Sequence, residues 1–165
     1  MKKLLLLLTA VFFIFSVMNF NVSAQLKLKP PKDVKKEMTV PGNTAWVNTG
    51  IRISPKDKVI ISASGTVCFE NASESCVGPQ GWPVDTYRQA WPNNWNYCDD
   101  PLKTENHAAL IGEMGSDKFF VGNQLTFSGK DGFLYLGIND CTLNGTYGNT
   151  GEFTVIIQVK RKKTS

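Results

Sequence analysis

Asp140 stands in a segment dense with oxygen donors: Asn139, Asp140, Asn144, Thr146, Asn149 and Thr150, with Gly145, Gly148 and Gly151 among them. Carboxylate, carboxamide, hydroxyl and inward-turned carbonyl oxygens from one loop are the ligands that a calcium ion takes. The glycines allow the positive φ angles that turn carbonyls inward. The same residue types dominate ordinary turns, so a plain polar loop is the competing reading of the composition. The spacing is not that of an EF-hand loop, which needs acidic groups at alternate positions and a closing Glu. Phe133 to Ile138 and Phe153 to Val159 flank the segment as apolar runs of strand length, so it reads as strand, loop, strand.

Catalytic chemistry is harder to assemble from this chain. No Gly-x-Ser-x-Gly elbow is present, and His107 is the single histidine. It precedes Ala108-Ala109-Leu110-Ile111-Gly112, which gives it a structural role at the start of a buried segment. A glycosidase needs two carboxylates facing each other across a cleft, and nothing in the spacing of Asp85, Asp99, Asp100 and Glu105 selects a pair. The residues therefore point to a binding protein, not an enzyme.

The compartment follows from the first residues and from the cysteines. Lys2 and Lys3, the apolar run Leu4 to Val17 and the small residues Val22-Ser23-Ala24 make residues 1–24 a cleavable signal peptide. The apolar run is short for a membrane span, which takes roughly 20 residues, and no Cys marks a lipid anchor at the cleavage point. The expectation is a secreted or periplasmic protein that does not span the membrane. Removing the leader takes the formal charge from +4 to +2, too little to imply nucleic acid. Cys68, Cys76, Cys98 and Cys141 all lie in the exported part, and an even count there favours two disulfides. Zinc is the weaker rival, with no Cys-x-x-Cys and one His. Cys68–Cys76 flank a short Asn/Ser-rich loop, which leaves Cys98–Cys141 as the second bridge; the other two pairings stay open.

Short β-rich runs must position these groups. Ala45 to Ile53, Lys58 to Ser64 with Thr66 to Phe69 beyond Gly65, Lys118 to Val121 and Leu125 to Phe127 precede the two runs around Asp140. No window carries a helical period, and Gly and Pro punctuate the runs. The expectation is an all-β antiparallel sandwich, a small jelly roll. Residues 25–41, basic and Pro-containing, read as a flexible lead-in, and residues 42–165 as one domain. The closing Lys160-Arg161-Lys162-Lys163 reads as solvation of the last strand.

From Gly78 to Asn106 there is no periodicity, yet Trp82, Tyr87, Trp91, Trp95 and Tyr97 fall there. Such a long stretch in a small domain is functional or disordered, and aromatic density argues against disorder. Two readings remain: the rings form a local core, or Trp82, Trp91 and Trp95 offer faces to a sugar.

Asn139-Asp140, then Gly145-Thr146-Tyr147-Gly148-Asn149, then Gly151-x-Phe153-x-Val155 resembles the calcium loop of the PA-I-type galactophilic lectins, secreted bacterial β-sandwiches of galactose-binding-domain-like fold. Trp46 to Ile53, Asp57-Lys58-Val59-Ile60, Ala63-Ser64-Gly65, Gly78-Pro79-Gln80-Gly81 and Ala108 to Gly112 follow the family in order, so the resemblance covers about Trp46 to Val159. It implies a calcium-dependent carbohydrate-binding protein that forms homo-oligomers. The implied ligands are the side chains of Asp140, Asn149 and Thr150 and the carbonyls of Thr146 and Phe69. Thr150 stands where the family has a second Asn. Asp140, Thr146 and Asn149 would also meet the sugar. The family's His and Gln after Gly-Pro-Gln-Gly have no counterpart; Trp82-Pro83-Val84-Asp85 and an insertion replace them, with Asp85 or Gln89 as substitutes, and galactose stays open. The alternative is a structural or adhesive sandwich whose loop binds calcium only to order itself.

Overall fold

Alternation along the longest strands sets the two faces of the molecule, a computed structural model that describes residues 32–69, 75–85, 100–140 and 148–162. In β9 (Thr150–Lys160) the side chains of Phe153, Val155, Ile157 and Val159 are buried and those between them are not. Its partner β3 (Lys58–Cys68) buries Val59, Ile61 and Val67. A two-residue period on a paired strand puts one row of side chains into the core. Each fully buried Val, Ile or Phe is worth about 1.5–3 kcal/mol.

Nine strands lie in the described residues, all paired antiparallel in two sheets. One sheet runs β1 (Val34–Pro41), β9, β3, β4 (Cys76–Val77), with β7 (Gln124–Phe127) also on β3. The other runs β2 (Trp46–Ile53), β8 (Gly132–Ile138), β5 (Leu110–Met114), β6 (Asp117–Phe120). The expected antiparallel β-sandwich is therefore the fold. Its core joins Val40, Val59, Ile61, Phe153 and Ile157 of the first sheet to Ile51, Ile53, Leu134, Leu136 and Leu110 of the second. The register of β2 on β8 shifts between Asn48 and Arg52. Buried Thr49 repairs that break: its hydroxyl donates to the Leu134 carbonyl at 2.7 Å and accepts from the Ile51 N–H at 3.1 Å.

Three expectations are corrected. Residues 34–41, read as part of a lead-in, form β1, paired to β9 from Val34↔Val159 to Pro41↔Glu152. β1 buries only Val40 fully, so its lysines masked a strand that pairing with β9 stabilises. Gly65, read as the break between Lys58 to Ser64 and the run Thr66 to Phe69 beyond it, lies inside β3 at φ 101°, because the ladder to β9 runs unbroken from Lys58↔Lys160 to Cys68↔Thr150. Arg161, read as solvation, is an ion-pair partner of buried Asp57 and donates from Nη2 to the Arg52 carbonyl at 2.8 Å. Cys68–Cys76 is bonded across the β3–β4 pair, as expected. The signal peptide and the Cys98–Cys141 bridge lie outside the described residues. No helix among the described residues is long and apolar enough to cross a membrane.

Register decides where chemistry can gather. Cys68 faces Thr150, so the end of β3 lies beside the start of β9. Leu110 faces Ile138, so the start of β5 lies beside the end of β8. The chain segments leaving these strand ends carry Phe69, Asn149, His107 and Asp140.

Candidate functional site

Asn139 and Asp140 follow the last residue of β8 and divide the labour between them. The Asn139 backbone continues the sheet, donating to the Ala109 carbonyl and accepting from the Ala108 N–H, both at 2.8 Å. Its buried amide turns back instead of outward. Nδ2 donates to the carbonyls of Leu102 and Asn106, each at 3.0 Å, and Oδ1 accepts from the Leu102 N–H at 2.9 Å. These bonds pin the stretch between Asp100 and His107. The Asn106 amide extends the pin, donating to the Gln80 carbonyl at 2.9 Å.

Asp140 then closes a buried polar chain. Asn149 Nδ2 donates to Asp140 Oδ2 at 2.7 Å and to the Gly42 carbonyl at 3.2 Å. The other carboxylate oxygen, Oδ1, lies 3.7 Å from His107 Nε2, and His107 Nδ1 lies 3.0 Å from Asp100 Oδ2. Asp100, His107, Asp140 and Asn149 are all at most 5% exposed. Burial of charged groups is costly without partners, and here each carboxylate has the imidazole beside it. The metal-ligating atoms of Asp100, His107 and Asp140 lie within 4.8 Å of one another, so this buried group could hold a metal ion.

The surroundings are aromatic and tightly approached. The Phe69 ring meets His107 edge-on at 4.8 Å and Trp82 edge-on at 5.5 Å. Trp82 and His107 also exchange backbone hydrogen bonds of 2.8 and 2.9 Å. Ala108, next to His107, takes φ 55°, a left-handed conformation that non-glycine residues seldom adopt outside constrained sites. Gly42 permits the first loop to press on the site: a Cβ there would lie 2.8 Å from Val67 Cγ1 and 3.0 Å from the Thr150 carbonyl oxygen.

The residues expected from the sequence fall as follows. Asp140 and Asn149 meet directly. Phe69 is buried one residue beyond β3, and Thr150 opens β9 in an exposed position paired with Cys68. Trp82 is half-buried and packs on the core through Phe69. Asp85 is exposed. Thr146, Gln89, Trp91 and Trp95 lie outside the described residues. Reading the sequence missed the Asp100–His107 pair: His107 does open a buried segment, but it also faces Asp140. The available signal was that a lone histidine ahead of Ala-Ala-Leu-Ile needs a polar partner once buried.

No protein-family model and no curated protein matches this chain. Among solved structures the fold is similar to the N-terminal domain of EclA, described as a PllA-like lectin. The two share 24% sequence identity, with a TM-score of 0.53 over 76% of this chain and 95% of that one.

Proposed function

We propose that this chain is an exported, non-enzymatic carbohydrate-binding protein, a lectin whose sugar site is assisted by calcium at Asp140. The observation that carries the reading is the buried contact between the Asp140 carboxylate and the Asn149 amide at the convergence of four strand ends. Likeness of fold to a domain described as a lectin supports it, as does the resemblance of the 139–155 segment to a lectin calcium loop. The Cys68–Cys76 bond fits an oxidising compartment and hence export.

The residues fit an oxygen-seeking ion. Asp140 supplies a carboxylate, and a half-turn of the Asn149 amide brings Oδ1 to where Nδ2 now meets it, at the cost of the bond to Gly42. The Thr150 hydroxyl and the Phe69 and Thr146 carbonyls complete the proposed set. Calcium, when bound, supplies coordination positions for adjacent sugar hydroxyls. Asp140 and Asn149 would also orient those hydroxyls, and Trp82, with Trp91 and Trp95 of the insert, would cover the apolar face of the ring. Galactosides are the first class to test, and several sites per homo-oligomer would raise avidity.

Millimolar calcium is expected to raise the Tm, because an ion that binds only the folded state stabilises it by RT ln(1 + [L]/Kd). A chelator should reverse the rise, and Asp140→Ala should abolish it. A glycan array run with calcium and with chelator tests the sugar. Calcium-dependent signals support the reading; a calcium-raised Tm with no glycan bound leaves only an ion-ordered loop, and an unchanged Tm removes calcium.

A further inference from the structure

Register lays three aromatic rings in a line on the outer face of the second sheet. In β8 the side chains of Leu134 and Leu136 enter the core, so Phe133, Tyr135 and Gly137 belong to the opposite face. Gly137 has no ring of its own, but Trp46 of β2 pairs with it and lays its indole across it. A Cβ at Gly137 would come within 2.8 Å of Trp46 Cε3 and 3.2 Å of Cδ2. Rings therefore stand at positions 137, 135 and 133 of one strand, about 6.8 Å apart at two residues per step. Exposure rises along the line: Gly137 is buried, Trp46 and Tyr135 are half-buried, and Phe133 is 47% exposed. Polar groups run beside the rings. Asn48 Nδ2 donates to the Tyr135 hydroxyl at 3.3 Å, while Asn48 Oδ1 accepts from the Gly50 N–H at 2.8 Å. The Tyr135 hydroxyl accepts in that bond and keeps its own proton to donate. Glu113 faces Tyr135 across the β5–β8 ladder, and the Arg52 guanidinium lies over the Phe133 ring at 5.8 Å. The charges beside the rings come in pairs, Arg52 with Asp131 at 3.1 Å and Lys118 with Glu113 at 3.9 Å.

We propose that Trp46, Tyr135 and Phe133 form a second carbohydrate site, a track for a neutral, extended, β-linked oligosaccharide. Pyranoses with all-equatorial substituents present flat C–H faces that aromatic rings match. Their hydroxyls lie at the rim, where Asn48, Tyr135, Glu113 and Arg52 stand. The paired charges leave no net charge to draw in a polyanion. Size argues against a second copy of the chain as the occupant. Four strands about 4.8 Å apart and five residues of β8 make a face of roughly 14 by 14 Å, about 200 Å². A stable protein interface takes about 800 Å² from each partner. The rings already rest on Gly137, Asn48 and Arg52, so little side-chain freedom is left to lose on binding. The track runs along β8, whereas the site proposed above lies beyond the end of that strand at Asp140. It needs no ion and does not rest on the calcium reading.

The test removes calcium first. Mature protein in EDTA is titrated by calorimetry with cellohexaose and with chitohexaose, two extended all-equatorial chains. The same additions to ¹⁵N-labelled protein are followed by ¹H–¹⁵N NMR. At least one chain should bind, and the amides of residues 46, 48 and 133–137 should shift most. Phe133→Ala, at an exposed position, should fold as the wild type does and bind about tenfold more weakly, the factor of one ring contact. Tyr135→Phe keeps its ring and should lose only about two- to fivefold, the share of a hydroxyl. Should Phe133→Ala not fold, Tyr135→Phe and the wild-type shifts decide. Binding of neither chain in EDTA, shifts centred on Asp140 and Asn149, or unaltered affinity in both variants overturns the proposal. Self-association of the wild type that Phe133→Ala abolishes also overturns it and assigns the face to a second copy. A Tm unmoved by calcium, with binding in EDTA intact, would overturn only the calcium site proposed above.

Discussion

Asn139 shows how little the type of a residue says about its task. By composition it belongs with the loop oxygens that suit an ion, yet its amide is spent on Leu102 and Asn106. Asp140, one residue on, keeps its carboxylate beside His107 and Asn149. Strand alternation separates them, since neighbours at a strand end point opposite ways. Asn139→Ala should therefore act through position, not ligation. It strands the Leu102 N–H and carbonyl and the Asn106 carbonyl, and the expected loss is about 2–3 kcal/mol by urea denaturation. A loss below about 0.5 kcal/mol would mean that water replaces the amide. The Asp140–Asn149 half of the site was legible because both lie in one loop of suitable chemistry. Asp100 and His107 were not, because the sheet register and the Trp82–His107 bridge bring them in from outside that loop.

Among the elements, those buried on one whole face were legible and those defined only by a partner were not. β8 and β9 carry unbroken apolar runs or clean alternation, and the sequence placed both within a few residues. β4 is two residues long, held by the ladder Val67↔Val77, Cys68↔Cys76 and by the disulfide, and no periodicity can mark so short a strand. β1 has an edge position, a proline at its end and lysines at 35 and 36, which is how edges are kept from pairing with other chains. It nonetheless covers β9 and buries Val40. A chain beginning at Lys32 should unfold like the mature protein. One beginning at Gly42 should lose at least the roughly 1.5–3 kcal/mol of a buried Val and expose the flank of β9 to association. Equal denaturation midpoints for the two would return residues 34–41 to the role of a lead-in.

At the scale of the whole molecule, one ladder joins two different ends. β3 and β9 pair from Lys58↔Lys160 to Cys68↔Thr150, roughly 33 Å at the usual rise of about 3.3 Å per residue. At the first end, Arg161 pairs with buried Asp57, and Asp33 accepts from the Arg161 N–H at 2.9 Å and from Lys160 Nζ at 3.0 Å. At the other end the Cys68–Cys76 bond holds the strand that leads into Phe69, whose ring leans on His107. Both ends stabilise the same sandwich, but only one touches the site. Arg161→Ala should cost about 3 kcal/mol, since it leaves Asp57 buried without its cation. Replacing both cysteines by serine should cost about 2–3 kcal/mol, as expected for a short closed loop. The two losses are similar in size, and sites so far apart should act independently. Ion affinity, measured well below either variant's Tm, should then separate them. Arg161→Ala should bind calcium as the wild type does, whereas the serine variant should bind it more weakly, because Phe69, whose carbonyl belongs to the proposed calcium set, follows Cys68 directly and is no longer held by the bridge. Equal weakening in both variants would show that ion binding tracks global stability and that the site has no local support of its own.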